Sequence, residues 1–396
     1  MLSTLSPLSA IEPESNCATW ETLAHIVFGL VIGVILDWLV REPVVERLHR
    51  YSLRRRQRRL EKWWHGHSGT VRLGTRNTQV LIIDGNGAIE YKPRNIKCSY
   101  DATYILVPPG LAEDIKRIEV EQRQRTEEGK AAAWDGDIAH ITTFSVERTP
   151  NEEDVILRLR LQKAKYFHFM ATNAVLWAEY RKNGMLSATR SRFLGAFKDW
   201  ATTSPPMLVN GLPINLLIVT LDKKLVFSKR SDNVAIGPNS WACPINENIH
   251  PDYDRVQSEP RLDVGNLLTR SLAEEIGWKD DEHTGTRADP KAEIHLLAFG
   301  VHTGDGGYGL IGYAELPITF KHLQDLFAKR PKDKIETAGL VPVDLGLAPV
   351  CYAIHGNGLY DIVGVAALYT LLHLGFGINA INRCFVEQQE HGRGLG

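Results

Sequence analysis

The sequence predicts an α/β protein in which an N-terminal transmembrane helix precedes an α/β/α sandwich with an added N-terminal α+β subdomain. Three observations predict it. The run from Leu23 to Val40, LAHIVFGLVIGVILDWLV, approaches the roughly 17–25 apolar residues that a helix needs to cross the hydrocarbon core. Beyond it, strand-length apolar runs intermingle with stretches of helical spacing, the mark of mixed α/β architecture. No segment recurs at a fixed period, which excludes solenoids and propellers.

The N-terminal elements come first. Residues 1–21 form an extracytoplasmic tail carrying only acids, Glu12, Glu14 and Glu21, whereas a cleaved signal peptide places basic residues before its apolar run. The span is assigned to 22–41. Behind it lies a basic juxtamembrane segment at 42–68; with Arg41 at the end of the span, Arg47, Arg50, Arg54, Arg55, Arg56, Arg58, Arg59 and Lys62 oppose only Glu42, Glu46 and Glu61. That bias orients the helix N-terminus out, so the expected localisation is single-pass in the inner, cytoplasmic membrane with the C-terminal bulk in the cytoplasm. The collar, which ends in Trp63 and Trp64, suits anionic headgroups and makes the lipid bilayer an expected partner. Gly29 and Gly33 form a GxxxG pair compatible with a homo-oligomer.

The rest of the chain divides at 69–205, an α+β subdomain, 206–385, the main domain, and a tail at 386–396. Strands are expected at 79–84, 102–107, 139–145 and 154–161, the last alternating apolar and basic residues as DVILRLRL, with a charge-rich helix over 111–133. Further on, INLLIVTLDKKLVFSKR (214–230) reads as a hairpin turning at Asp222 and Lys223. A helix follows over 263–277. Strands at 293–301 and 309–316 are joined by the Gly-rich HTGDGGY, and a helix covers 320–327. A second apolar run, Ile362 to Ile381, is long enough to span a membrane. It holds His373 and Asn379, breaks at Gly375 and Gly377 and lacks a basic flank, so it is expected to be a buried helix.

Composition narrows the function classes. A net charge of −1 gives no cationic surplus for a DNA or RNA polymer, and none is expected as a partner. The five cysteines, Cys17, Cys98, Cys243, Cys351 and Cys384, are scattered without Cys-x-x-Cys spacing, which argues against a disulfide framework and against a structural zinc. His65 and His67 lack a third ligand nearby, and His302, Asp305 and Tyr308 sit in a glycine-rich loop that needs no function.

The informative segment is Asp263 to Trp278, DVGNLLTRSLAEEIGW. On a helix, Leu268, Leu272 and Ile276 make a core-facing stripe while Asp263, Arg270 and Glu274 fall in a narrow arc opposite, with Glu275 at its border. Gly277 suits the left-handed stop. The end, RSLAEEIGW, resembles the R-E-U-x-E-E-x-G-U core of the Nudix box, U being a bulky aliphatic residue, through Arg270, Leu272, Glu274, Glu275, Gly277 and Trp278. The preceding order of strand, turn, strand and loop fits that family, so 206–385 is expected to be Nudix-like. Ser271 stands where the family has glutamate, and Val256 and Leu262 stand at the upstream glycine and glutamate positions, with Glu259 and Asp263 nearby.

What the resemblance implies is a choice. A transmembrane helix joined to a Nudix-like domain is similar to the TM-NUDIX effectors of bacterial CBASS antiphage systems, in which a soluble domain senses a cyclic oligonucleotide and the membrane part disrupts the bilayer. On that reading no residue is catalytic, and Lys229, Arg230, Trp241 and Arg270 bind the ligand. The alternative is a membrane-tethered Nudix hydrolase of a nucleoside diphosphate derivative, with Mg²⁺ held by Glu274 and Glu275 and with Asp263 or Glu259 in place of the lost base. A third reading is an interaction protein without a ligand. The damaged box leans the expectation away from an enzyme.

Overall fold

Two sheets, each assembled from distant parts of the chain, carry the architecture. The protein is described from a computed structural model, which covers residues 69–393 apart from 88, 130–131, 149–153, 179–191, 196, 198, 232–238, 258, 280–290, 330–336, 358 and 360. The larger sheet has nine strands among the described residues. They are β1 (Thr70–Leu73), β2 (Arg76–Asp84), β6 (Pro213–Thr220), β7 (Lys224–Arg230), β8 (Trp241–Ala242), β9 (Ile245–Asn248), β11 (Glu293–His302), β12 (Gly307–Leu316) and β13 (Thr337–Asp344). Their order is β1-β2-β11-β12-β6-β7-β13, with β8 on β7 and β9 on β6. Only β12 and β6 run parallel on this path; the other pairs are antiparallel. The smaller sheet is β10 (Arg261–Leu262), β3 (Ile96–Tyr104), β5 (Val155–Lys165) and β4 (Asp137–Arg148), in that order.

The sequence dictates much of this locally. In β5, Val155, Leu157, Leu159 and Leu161 are buried while Arg158 and Arg160 point to solvent, the period-2 pattern of a half-covered strand. β6 instead is apolar and buried almost throughout, as a strand covered on both faces must be. The hairpin from β6 to β7 turns at Asp222 and Lys223, where Lys223 takes φ 55°. Thr220 Oγ1 secures the turn by donating to Asp222 Oδ1 at 2.6 Å and accepting from Lys224 N at 3.1 Å.

Seven helices complete the described fold: α1 (Ala112–Glu127), α2 (Tyr166–Phe169), α3 (Val264–Ile276), α4 (Phe320–Lys329), α5 (Leu347–Gly356), α6 (Ile362–His373) and α7 (Ile378–Arg393). α2 runs on into a π-helical turn, Met170–Ala174. One core lies between the larger sheet, the smaller sheet and α3, and includes Ile141, Leu157, Ile214, Leu216, Leu268 and Leu272. The other lies on the opposite face of the larger sheet, where α5, α6 and α7 meet Leu217, Leu225, Phe227, Leu297 and Ile311. Chain from before and after residue 205 thus shares both sheets, through β2 against β11 and β10 against β3.

These observations correct the membrane assignment. No helix among the described residues is long and apolar enough to cross a membrane. The second apolar run forms α6, of 12 residues and largely buried, and ends before Gly375, whose φ of 99° breaks the run ahead of α7. Helices of that length belong to protein cores. The expected span at 22–41 and the collar at 42–68 lie outside the described residues. The fold class of the described residues is therefore mixed α/β, the expected N-terminal transmembrane helix finds no support among them, and the single-pass localisation, with its N-terminus out, is withdrawn. The physical reason is that an apolar run of spanning length is not specific to lipid, because a strand sheet covered on both faces demands the same composition from the helices that cover it.

A buried polar network ties the segment before β6 to the smaller sheet. Asn173 Nδ2 donates to Asn210 Oδ1 at 2.6 Å, Asn210 Nδ2 donates to Ser204 Oγ at 2.6 Å, and Asn210 N donates to His140 Nδ1 at 2.9 Å. Burial pushes the His140 imidazole down to about 4. Its folded value lies below the unfolded one, near 6.5, so the stability it supports is present above pH 6.5 and is lost as pH falls towards 4. His140→Asn keeps an acceptor for the Asn210 N–H without a group that titrates there. Urea midpoints at pH 7.5 and 4.5 should fall less on acidification for this variant than for the wild type, by an amount equivalent to about 1–3 kcal/mol.

Candidate functional site

The box-like segment folds as its residues require. Asp263 takes an extended conformation and caps α3, its Oδ1 accepting from Gly265 N at 2.6 Å. At the other end Gly277 adopts φ 76°, the left-handed stop that lets Trp278 N donate back to Leu272 O at 3.1 Å. Val264, Leu267, Leu268, Ser271, Leu272, Glu275 and Ile276 are the buried residues of the helix. Leu268, Leu272 and Ile276 are the expected stripe, broadened along one side by the parallel row Leu267, Ser271 and Glu275.

Arg270 is the centre of the polar face. Its Nε and Nη2 donate to the two carboxylate oxygens of Asp254 at 3.1 and 2.9 Å, and Nη2 also donates to Asn248 O at 2.8 Å. Nη1 lies 3.3 Å from Glu274 and 3.5 Å from Glu247. The guanidinium also lies 6.0 Å from the Tyr253 ring centre. The Asp254 side chain is fully buried, and His250 N donates to it at 2.7 Å. Burial opposes the charge on Arg270, but its hydrogen bonds to Asp254 and the charges of Asp254, Glu247 and Glu274 outweigh it and hold the guanidinium above its ordinary range. This bidentate fork locks α3 to the loop that follows β9.

The position where a Nudix enzyme has glutamate is closed. Ser271 is fully buried, and its Oγ donates to Leu267 O at 2.6 Å within the same helix. Asp263 is engaged as the helix cap, Glu274 with Arg270, and Glu259 with Arg261. Glu275 is buried on the side of α3 away from Arg270. Groups of three side chains spaced to hold a metal ion occur among the described residues, but none includes Asp263, Glu259, Glu274 or Glu275.

The other expected ligand contacts do not join this helix. Lys229 on β7 faces Trp241 on β8 across the ladder, and Trp241 packs its ring 5.3 Å from that of Phe227. Phe227 belongs to the core under α5–α7, whereas Val226 belongs to the core under α3. Strand alternation therefore places Lys229, together with Trp241, on the sheet face opposite Arg270, and turns Arg230 the other way. Lys229 is exposed and Trp241 half-buried.

Missing from the sequence expectations are Asp254, the main acceptor for Arg270, and Glu247, an ion-pair partner 3.5 Å away. A carboxylate in PDYD (251–254) reads as a turn residue, and nothing local marks it as buried. The His302 loop likewise has no purpose in those expectations. His302 is buried with Nδ1 at 3.0 Å from Asp305 and Nε2 at 3.5 Å from Asp361, the residue that precedes α6. Burial alone would lower this imidazole; the two aspartates outweigh it and lift it to about 10. The cluster pins the β11–β12 hairpin to the start of α6, and Tyr308 OH anchors the same hairpin by donating to Thr203 O at 2.8 Å.

Removing the cation at the centre of the fork should be costly. Arg270→Ala leaves a fully buried carboxylate unpaired, which costs about 3–5 kcal/mol. Urea unfolding should show that loss, and the double variant R270A/D254N should recover part of it, since the remaining amide carries no charge. Equal stability of the wild type and R270A would mean that the fork does not hold α3.

No family model matches this chain, and no curated protein matches it. Among solved structures, DR0079 from Deinococcus radiodurans is similar over 40% of this chain and 80% of its own, at 13% identity and a TM-score of 0.27. A likeness at that score carries no argument about fold or activity.

Proposed function

We propose that this protein is a nucleotide sensor whose Nudix-like region, residues 206–385, binds a cyclic oligonucleotide without hydrolysing it. The observation that carries the reading is the state of α3. It keeps the parts of the box that serve folding, namely the Asp263 cap, the Arg270 fork and the Gly277 stop, while Ser271 replaces the glutamate with a buried hydroxyl. Metal-assisted hydrolysis of a diphosphate needs carboxylates converging on Mg²⁺, with water held against the phosphorus. Here Glu274 is turned to Arg270, and no group of metal-spaced side chains among the described residues includes Glu274 or Glu275.

Binding without turnover requires only charge and stacking. Lys229 and Trp241, opposite each other on β7 and β8, set an exposed ammonium beside an indole. A phosphodiester and its adjoining base present the matching pair of features, and a cyclic oligonucleotide repeats them in one compact ligand. Near-zero net charge suits a small ligand better than a polymer, whose binding rests on a broad cationic surface.

Isothermal titration of the full chain with cyclic di- and trinucleotides tests the reading. Binding is expected for at least one of them, and Trp241→Ala should weaken it by about 5- to 150-fold, the range for loss of a stacked base. Lys229→Glu should weaken it further as salt is lowered, because repulsion is then less screened. Absence of binding to every cyclic ligand would overturn the proposal. So would Mg²⁺-dependent turnover of nucleoside diphosphate derivatives that Glu275→Gln abolishes, a result that would favour the hydrolase.

A further inference from the structure

On the face of the larger sheet that carries α6, three side chains far apart in sequence converge. Glu90 lies beyond the end of β2, His295 on β11, and His373 at the C-terminal end of α6. Glu90 Oε1 is 3.0 Å from His295 Nδ1 and 3.2 Å from His373 Nε2. One ligand atom from each of the three lies within 4.8 Å of the others. We propose that Glu90, His295 and His373 form a binding site for a divalent first-row transition-metal ion of the Zn²⁺ class, with one side of the ion open to solvent.

The separations suit such an ion. Ligand atoms about 2.0–2.1 Å from a tetrahedral zinc stand about 3.3–3.4 Å apart, and octahedral ligands stand somewhat closer. The two measured edges fall near these values. One carboxylate oxygen, Glu90 Oε1, serves both imidazoles, which draws the three ligands into one compact set, while the Nε2 of His295 is buried without a hydrogen-bond partner. That half-buried imidazole has a desolvation cost that a metal bond would offset.

The surroundings hold the first ligand in place. Tyr313, the cross-strand partner of His295, stacks on it at 4.6 Å between ring centres and 24° between planes. Immediately after His295 the β11–β12 register shifts between Leu296 and Ala298, a bulge that re-aims the strand. Opposite the bulge stands Gly312, where a Cβ would lie 2.0 Å from His295 O, so a side chain there would displace the strand that carries the ligand. On the strands beside the site Glu293 faces Glu315, and both come within ligand range of His295. Like charges directly opposite destabilise a ladder, and a nearby cation relieves that repulsion. Glu90 is the exposed member, which supplies an entry path and a free coordination position. Two neutral imidazoles and one carboxylate select a transition metal over Mg²⁺ or Ca²⁺, which take oxygen ligands.

The test uses the full chain, stripped with chelator and titrated with Co²⁺ as a spectroscopic probe, followed by displacement with Zn²⁺. One Co²⁺ per chain with visible d–d absorption is expected, and Zn²⁺ should quench it. His295→Gln, His373→Gln and Glu90→Gln should each weaken Zn²⁺ binding by at least about 100-fold, beyond the 10- to 100-fold that loss of an outer-shell partner costs. His322→Gln, an exposed histidine of α4, should leave it unchanged. Near-UV circular dichroism of each variant in chelator checks that the site, and not the fold, was lost. Absence of Co²⁺ absorption in the wild type, or unaltered Zn²⁺ affinity in folded H295Q and H373Q, would overturn the proposal. Neither result bears on the nucleotide reading, which rests on other residues.

Discussion

Everything else in the described fold depends on the requirement that the central strands of the larger sheet be covered on both faces. β6 and β12 pair in parallel and are buried almost throughout, so neither face can be left to solvent. Two different coverings meet the requirement. The smaller sheet with α3 seals one side, and α5, α6 and α7 seal the other. The chain achieves this by interleaving. β1 and β2 extend the sheet from before the β3–β5 region, and the two-residue β10 returns to the smaller sheet just before α3 begins. The helix with the box-like sequence is therefore wedged where the two sheets meet, which explains why its cap, fork and stop are all structurally engaged.

That placement gives the Arg270–Asp254 pair its character. Ion pairs at a surface contribute little, whereas a bidentate pair with one partner wholly buried is expensive to break from one side. The wedge needs α3 held against the loop that follows β9, and the fork does so with three hydrogen bonds to Asp254 and Asn248. The presence of Arg270, Glu274 and Gly277 in the sequence is accordingly a statement about folding before it is one about chemistry.

Legibility in the sequence followed the range of the interaction. The alternation in β5, the turn at Asp222 and Lys223, the stop of α3 and the break at Gly375 are each written within a few residues, and each is found in the fold. The apolar run from Ile362, expected as a buried helix, is found as α6, whereas the span expected at 22–41 finds no support among the described residues. Ile362 to His373 is as apolar as a membrane segment, and only the sheet it covers explains why. The placement of the expected ligand residues depends on longer-range geometry. Lys229 and Arg270 are both expected to bind the ligand, but the parity of β7 sends Lys229 to the opposite face from α3. No local pattern exposes the burial of Asp254 either, since that depends on where a turn lands.

The convergence of Glu90, His295 and His373 is the extreme case. Its members are separated by 205 and 78 residues, and each alone has an ordinary explanation: a loop acid, a strand histidine, a histidine in the last turn of a helix. The fold joins them because β2 pairs with β11 and α6 lies across that side of the sheet. A covering helix whose only task was to seal the face would end best on an apolar residue there. Instead α6 ends on a histidine beside a second imidazole stacked on Tyr313, with one carboxylate oxygen serving both. Two half-buried imidazoles side by side lose part of their hydration, and a shared cation is the simplest physical agent that offsets that cost.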